Sequence, residues 1–159
     1  MSKKYLFVLC LLSVVMLCAS VYPVLAKAPD TPKIIFGTHR EEEGNRELYL
    51  MNPDGSELVN TTNNRADDVS GTWSPTGEQI LFASDRDRSV GSWDLYLMDA
   101  DGENVRPVFE KSAARNSPAW SPDGKHIAYT RTIRGVWYVY IATSDGKNEE
   151  RVAIGGSPA

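Results

Sequence analysis

TWSPTGEQILFASDRDRSVGSWDLYLMDADGEN, residues 72 to 104, recurs in large part on either side of itself. Trp73-Ser74-Pro75-Thr76-Gly77 returns 47 residues later as Trp120-Ser121-Pro122-Asp123-Gly124. Leu95-Tyr96-Leu97-Met98-Asp99-Ala100-Asp101-Gly102 is preceded at the same interval of 47 by Leu48-Tyr49-Leu50-Met51-Asn52-Pro53-Asp54-Gly55, and a worn copy, Val139 to Gly146, follows after 44. Between these anchors lie Ile34-Ile35-Phe36, Ile80-Leu81-Phe82 and Ile127-Ala128-Tyr129. Ordered anchors returning in phase define a repeat, here about 33–71, 72–118 and 119–159.

Within the central copy, Gln79 to Ser84 has the length and composition of a strand, with Ile80 and Phe82 on one face and Leu81 and Ala83 on the other. Asp94 to Asp99 repeats this, setting Leu95 and Leu97 against Tyr96 and Met98. A strand apolar on both faces belongs in a sheet covered on both sides. No segment after the N-terminal run has a useful 3.6-residue apolar period, so no helix is expected to do the covering. The sheets must cover one another. An all-β chain with a period of 44 to 47 residues points to a β-propeller of four-stranded antiparallel blades, about three of them present.

The turns support this. Pro122 fixes φ for a turn, Asp123 accepts local backbone bonds, and Gly124 tolerates the left-handed region; Pro75 and Gly77 repeat the pattern around the weaker Thr76. A second turn, ending at Gly55, Gly102 and Gly146, leads into a last strand such as Asn104 to Phe109. Trp73, Ile80, Phe82, Leu95, Tyr96, Trp120, Ile127 and Tyr129 read as packing anchors, and Pro75, Gly77, Gly102, Pro122 and Gly124 as turn anchors.

Charge gathers between the two middle strands, at His39-Arg40-Glu41-Glu42-Glu43, Asp85-Arg86-Asp87-Arg88 and Arg131 to Arg134. Variable, charged loops at one phase of a repeat read as a binding rim or as solvated turns, with Asp85, Arg86, Asp87 and Arg88 as the contact-loop candidates.

At 159 residues the chain has room for one domain. Cys10 and Cys18 both lie in the first 26 residues, so the remainder can form no intramolecular disulfide or thiolate metal site. Lys3 and Lys4, the apolar run Tyr5 to Ala26 and the closing Pro23-Val24-Leu25-Ala26 are laid out as a secretory signal peptide over 1–26, cleaved after Ala26; an uncleaved anchor is the alternative. A periplasmic or secreted location follows. Residues 27–32 read as a proline-rich spacer. The net charge of −4, or −6 without Lys3 and Lys4, argues against a nucleic-acid footprint.

With these motifs in hand, the sequence resembles the TolB-like β-propeller repeat family, whose pattern runs Trp-Ser-Pro-Asp-Gly, an apolar strand, Ser-Asp-Arg-Asp-Gly, Asp-Leu-Tyr-x-Met and Ala-Asp-Gly. Trp120 to Gly124, Ile127 to Tyr129, Ser84 to Asp87, Asp94 to Met98 and Ala100 to Gly102 carry the resemblance, which spans Lys33 to Ala159. Thr76 and Arg88 depart from it, and the third copy loses the acidic turn. TolB itself has an α/β domain before its propeller, which is not matched here. The resemblance implies protein–protein interaction in the bacterial envelope and transfers no binding residue.

Chemistry is not expected. His39 lies in a charged loop and His126 at an exposed strand start, and no Gly-x-Ser-x-Gly elbow occurs. The acidic turns are too short for a helix-flanked calcium loop, so neither metal nor cofactor is predicted. The leading expectation is a non-catalytic envelope module with an unknown protein partner. The alternatives are the N-terminal part of the propeller of a larger, prolyl-oligopeptidase-like hydrolase, and a small-molecule or glycan binder. Propellers close with about 4 to 8 blades, so further blades are expected from sequence beyond Ala159 or from other chains. Ser157-Pro158-Ala159 repeats Ser117-Pro118-Ala119, which precedes Trp120.

Overall fold

A computed structural model describes residues 27–39, 44–87 and 93–158. The signal segment and its cleavage point lie outside them. The described residues form eleven strands: β1 (Ile34–His39), β2 (Arg46–Met51), β3 (Val59–Asn60), β4 (Asp68–Trp73), β5 (Gln79–Ser84), β6 (Asp94–Asp99), β7 (Arg106–Pro107), β8 (Arg115–Trp120), β9 (His126–Ile133), β10 (Val136–Thr143) and β11 (Glu150–Ile154). They pair antiparallel, in chain order, into three sheets: β1 to β3, β4 to β7 and β8 to β11.

The turn residues behave as their chemistry requires. Gly77 and Gly124 adopt φ of 72° and 69° and donate to Ser74 and Ser121 carbonyls, each at 2.9 Å. Asp123 Oδ1 accepts from Lys125 N at 3.0 Å, whereas the substituted Thr76 Oγ1 accepts from Glu78 N only at 3.4 Å. The second family of turns closes alike, with Gly55, Gly102 and Gly146 N–H groups bonded to Asn52, Asp99 and Thr143 carbonyls.

Alternation sorts the strands onto two apolar interfaces. Ile80, Phe82, Tyr96 and Met98 of the second sheet meet Ile35, Leu48 and Leu50 of the first. Leu81, Ala83, Leu95 and Leu97 on its other face meet Ile127, Tyr129, Tyr140 and Ala142 of the third. The middle sheet is therefore covered on both faces, and Ile80, Leu81, Phe82, Ala83 and Leu95 have no solvent exposure. The three sheets do not close into a ring.

Glycine permits the closest approaches between sheets. A Cβ on Gly71 would lie 2.7 Å from Ile35 Cδ1, and one on Gly146 would lie 2.1 Å from the Val108 carbonyl oxygen.

Three expectations need correction. The inner strands β4 and β8 run up to Trp73 and Trp120, so each complete sheet begins four residues before the boundary expected at Thr72 or Ala119, at Asp68 and Arg115. The first sheet has three strands and lacks this inner one. The outer strand β7 spans only Arg106–Pro107, as short as its counterpart β3. In the lead, Ala28-Pro29-Asp30 stands in phase with Ser121-Pro122-Asp123, and a Cβ added to Gly77 would lie 3.3 Å from Ala28 Cβ.

Phe82→Ala is expected to cost about 3–5 kcal/mol of unfolding free energy in urea titrations, since its cavity opens in a fully buried interface. Gly146→Ala should lower the thermal midpoint clearly more than Gly135→Ala. Both glycines have positive φ, 76° and 80°, but a Cβ at Gly135 meets nothing within 4 Å.

Candidate functional site

The connections between strands alternate between two rims. On one rim lie the tight turns β4–β5, β8–β9, β2–β3, β6–β7 and β10–β11. The other rim carries the links β1–β2, β5–β6 and β9–β10 together with the passages from one sheet to the next.

Beneath the second rim, arginines close the ends of both apolar interfaces. Arg86 Nη2 pairs with Asp68 Oδ1 at 3.0 Å and its Nε donates to Ser84 Oγ at 2.9 Å. Its guanidinium lies 5.0 Å over Phe82 and 4.9 Å over Tyr96. Asp68 is fully buried and also accepts from Asn64 Nδ2 at 2.6 Å. Arg86 is thus directed at the fold, between its own sheet and the first. Asp85 Oδ1 likewise accepts from Asp67 N at 2.8 Å, while Asp87 is exposed. Arg88 and Arg40 to Glu43 lie outside the described residues.

Arg115 does the same work at the second interface. Its Nη1 reaches Asp94 Oδ1 at 3.1 Å and the Lys111 carbonyl at 3.0 Å, its Nε reaches Glu149 Oε1 at 3.3 Å, and the guanidinium stacks 3.7 Å over Phe109. Burial would depress the guanidinium pKa, but Asp94 and Glu149 outweigh it and raise it. Burial pushes Tyr129 well above the ordinary phenol range, reinforced by its hydrogen bond to Glu149. For Glu149 burial acts upward, yet the Tyr129 hydroxyl and Arg115 prevail and hold its carboxyl below the ordinary 4.5. A third arginine, Arg46, binds Asp67 through its backbone N at 2.7 Å and through Nη2 at 3.0 Å, and lies 4.8 Å over Trp93. The position of this network was not readable beforehand, because Asp68, Asp94, Arg115 and Glu149 share no local spacing.

The sequence-predicted anchors divide by role. Ile80, Phe82, Leu95, Tyr96, Ile127 and Tyr129 are buried between sheets. Pro75, Gly77, Gly102, Pro122 and Gly124 occupy the tight-turn rim. Trp73 and Trp120 end the inner strands half-buried, and their indole Nε1 atoms are buried without an acceptor among the described residues. Trp120 also lines a groove of about 520 Å³ between the second and third sheets, with Arg106, Asp123 and Ser144. His39 and His126 are exposed. Among the described residues no three His, Cys, Asp or Glu side chains gather as metal ligands, and no helix is long and apolar enough to cross a membrane.

Three antiparallel sheets, stacked face to face with their tight turns on one rim, are blades of a β-propeller. Their repeat is TolB-like. A structure described as a TolB of Agrobacterium tumefaciens superposes with a TM-score of 0.69 at 20% identity, over 82% of this chain and 50% of that one. TolB from Acinetobacter baumannii gives 0.67 at 25% identity, over 80% of this chain and 31% of that one. An oligogalacturonate lyase in complex with manganese gives 0.58 at 16% identity, over 77% and 33%. The chain spans half or less of the length of each. No family model and no curated protein sequence matches it.

Arg115→Ala leaves Asp94 and Glu149 without their buried cation, with an expected loss of about 3–5 kcal/mol in chemical denaturation. Arg115→Lys should not restore it fully, because lysine lacks the fork and the planar face that stacks on Phe109. The lowered Glu149 pKa contributes stability present above pH 4.5 and lost as pH falls through its folded-state value. The thermal midpoint should therefore decline below about pH 4.5, and Glu149→Gln should flatten that decline.

Proposed function

We propose that the protein is an exported, non-catalytic propeller module that binds another protein of the bacterial cell envelope through the rim bearing β1–β2, β5–β6 and β9–β10. One observation carries this reading. The tight turns β4–β5 and β8–β9 each span five residues, while the connections on the opposite rim span six (40–45), nine (85–93) and two (134–135). Length is held within one residue at each phase of the tight-turn rim and varies more widely at the β1–β2, β5–β6 and β9–β10 phase, which suits a recognition surface on a rigid scaffold. Arg86 near the start of the β5–β6 connection and Arg46 just after the β1–β2 connection are each tied to an aspartate of the scaffold. The envelope location rests on the signal-like N-terminus and on the TolB likeness.

A second reading, the propeller of a larger enzyme, is favoured by one fact. The same fold is matched in the tricorn protease, with a TM-score of 0.52 over 10% of that chain. A fold shared so widely does not choose between the two.

The test replaces residues 88–92 by a two-residue Asn-Gly turn, leaving Arg86 on Asp68, and compares chemical cross-linking of the two proteins in living cells. A partner band that disappears with the replacement, while the thermal midpoint stays within a few degrees, is the expected result. A band that persists unchanged assigns binding to another surface and defeats the reading.

A further inference from the structure

On the tight-turn rim the second and third sheets part into the groove of about 520 Å³ that Trp120 lines, and we infer that this groove binds a short, neutral saccharide. The rim is the one opposite to that proposed for a protein partner, and the groove is built wholly from the two four-stranded sheets. One wall comes from the second sheet, through the β4–β5 turn and β7, and the other from the third, through the β8–β9 and β10–β11 turns. Its volume lies within the ~300–1,000 Å³ of small-molecule sites.

The floor is apolar, and polar groups above it are not spent on the fold. Leu97 and Val108 are buried in the core between the two sheets, with Trp120 packed beside them. Gln79 and Ser144 stand half-buried on opposite walls. Their backbones serve the fold, Gln79 N donating to Ser74 Oγ at 3.1 Å and Ser144 N to the Lys125 carbonyl at 2.9 Å. Among the described residues, neither the Gln79 amide nor the Ser144 hydroxyl has a partner. Asp123 caps its own turn through Oδ1 alone, which accepts from Ser121 Oγ at 2.6 Å and Lys125 N at 3.0 Å. Arg106 uses Nη1 for the Asn104 carbonyl at 3.1 Å and meets Asp99 Oδ1 only at 3.7 Å. Uncommitted polar side chains converging on an apolar floor are the pattern of a small-molecule site.

These groups select the ligand by its chemistry. The Ser121 hydroxyl holds the Asp123 carboxyl below its ordinary value, so it is ionised at neutral pH, and among the described residues no cation pairs with it. Asp145 on the same wall is balanced by Lys147 at 2.9 Å. An anion in the groove would therefore meet the Asp123 charge, and a cation would meet Arg106 on the facing wall. An extended peptide would look for backbone partners, but the Gly77, Gly124 and Gly146 N–H groups are spent on their own turns. A neutral ligand that donates, accepts and has an apolar face satisfies every group. A sugar ring is of this kind. Its hydroxyls donate to Asp123, accept from Arg106 and do either with Gln79 and Ser144, while its C–H face meets the apolar floor.

Thr76, which departs from the aspartate at the same turn position in the third sheet, also lines this groove. An aspartate there would set a second carboxylate on the wall facing Asp123 and leave Arg106 unable to balance the charge. The hydroxyl keeps the groove neutral.

Calorimetric titration of the full chain with cellobiose, maltose and N,N′-diacetylchitobiose, checked by saturation-transfer NMR, should show saturable binding of at least one of the three at millimolar concentration or below. Gln79→Ala should weaken that binding about five- to tenfold, the effect of one lost hydrogen bond between neutral groups. Ser144→Arg, which fills the groove from the facing wall, should abolish it. Neither side chain takes part in the hydrogen bonds of the fold, so both variants should keep their thermal midpoints within a few degrees, and the Gln79→Ala result stands by itself if the bulkier replacement lowers its midpoint. Absence of saturable binding by all three sugars overturns the inference. So does sugar binding that Gln79→Ala leaves unchanged, or saturable binding of inorganic phosphate, arginine or an alanine tripeptide in place of the sugars.

Discussion

A strand that is apolar on both faces constrains everything else in this chain. β5 reads Gln-Ile-Leu-Phe-Ala-Ser, and all four of its central side chains are fully buried. Such a strand cannot lie on the surface of a two-layer fold, because one of its faces would then meet water. Removing roughly 25 cal/mol for every Å² of apolar surface from water on two faces at once requires a sheet on each side. No helix is at hand among the described residues, so the covering layers are further copies of the same sheet. Stacking by repetition follows from the composition of six residues.

Repetition leaves one problem, which the arginines solve. Two flat sheets packed face to face are sealed along their strands but open at the rims, where water could reach Phe82, Tyr96 and Tyr129. At the first interface Arg86 lies across the rings of Phe82 and Tyr96. At the second, Arg115 lies across Phe109 and Tyr129. The guanidinium suits this place because its face stacks on aromatic carbon while its edge keeps five donors for carboxylates. Asp68 and Asp94 accept those donors, and both are nearly or wholly buried. The two seals arise from different repeat positions, Arg86 from a connection between strands and Arg115 from the first residue of an inner strand. The requirement is therefore set by the geometry of the interface and met by whichever residue reaches it.

That distinction explains what the sequence disclosed. The apolar strands β5, β6, β9 and β10, the turns at Gly77, Gly102 and Gly124, and the propeller architecture were all legible, because each depends on residues within a few positions of one another. The inner strands were not. Asp-Val-Ser-Gly-Thr-Trp and Arg-Asn-Ser-Pro-Ala-Trp contain glycine and proline and lack sustained alternation, so they carry turn signals. The rim network was hidden for another reason. Arg115 and Glu149 are 34 positions apart, and their meeting depends on the registers of β8 with β9 and β9 with β10. Of the contact-loop candidates Asp85, Arg86, Asp87 and Arg88, Asp85 and Arg86 hold groups of the fold and Asp87 is exposed.

The serines of the inner strands show how local these irregularities are. Ser70 and Ser117 sit in register shifts between an inner strand and its neighbour, where one extra residue must be accommodated. A left-handed φ at a residue with a Cβ is costly, and its recurrence could be blamed on the ladder that flanks it. Ser157 separates the two explanations, since it adopts φ of 54° with no strand paired beside it. The bend is therefore favoured by the short segment itself, in which serine is followed by glycine or proline. Pro118 fits there because the residue ahead of it bears the bulge and its missing N–H falls where the ladder is already interrupted. The kink thus belongs to the short serine segment itself, and the sheets of β4 and β8 accommodate it.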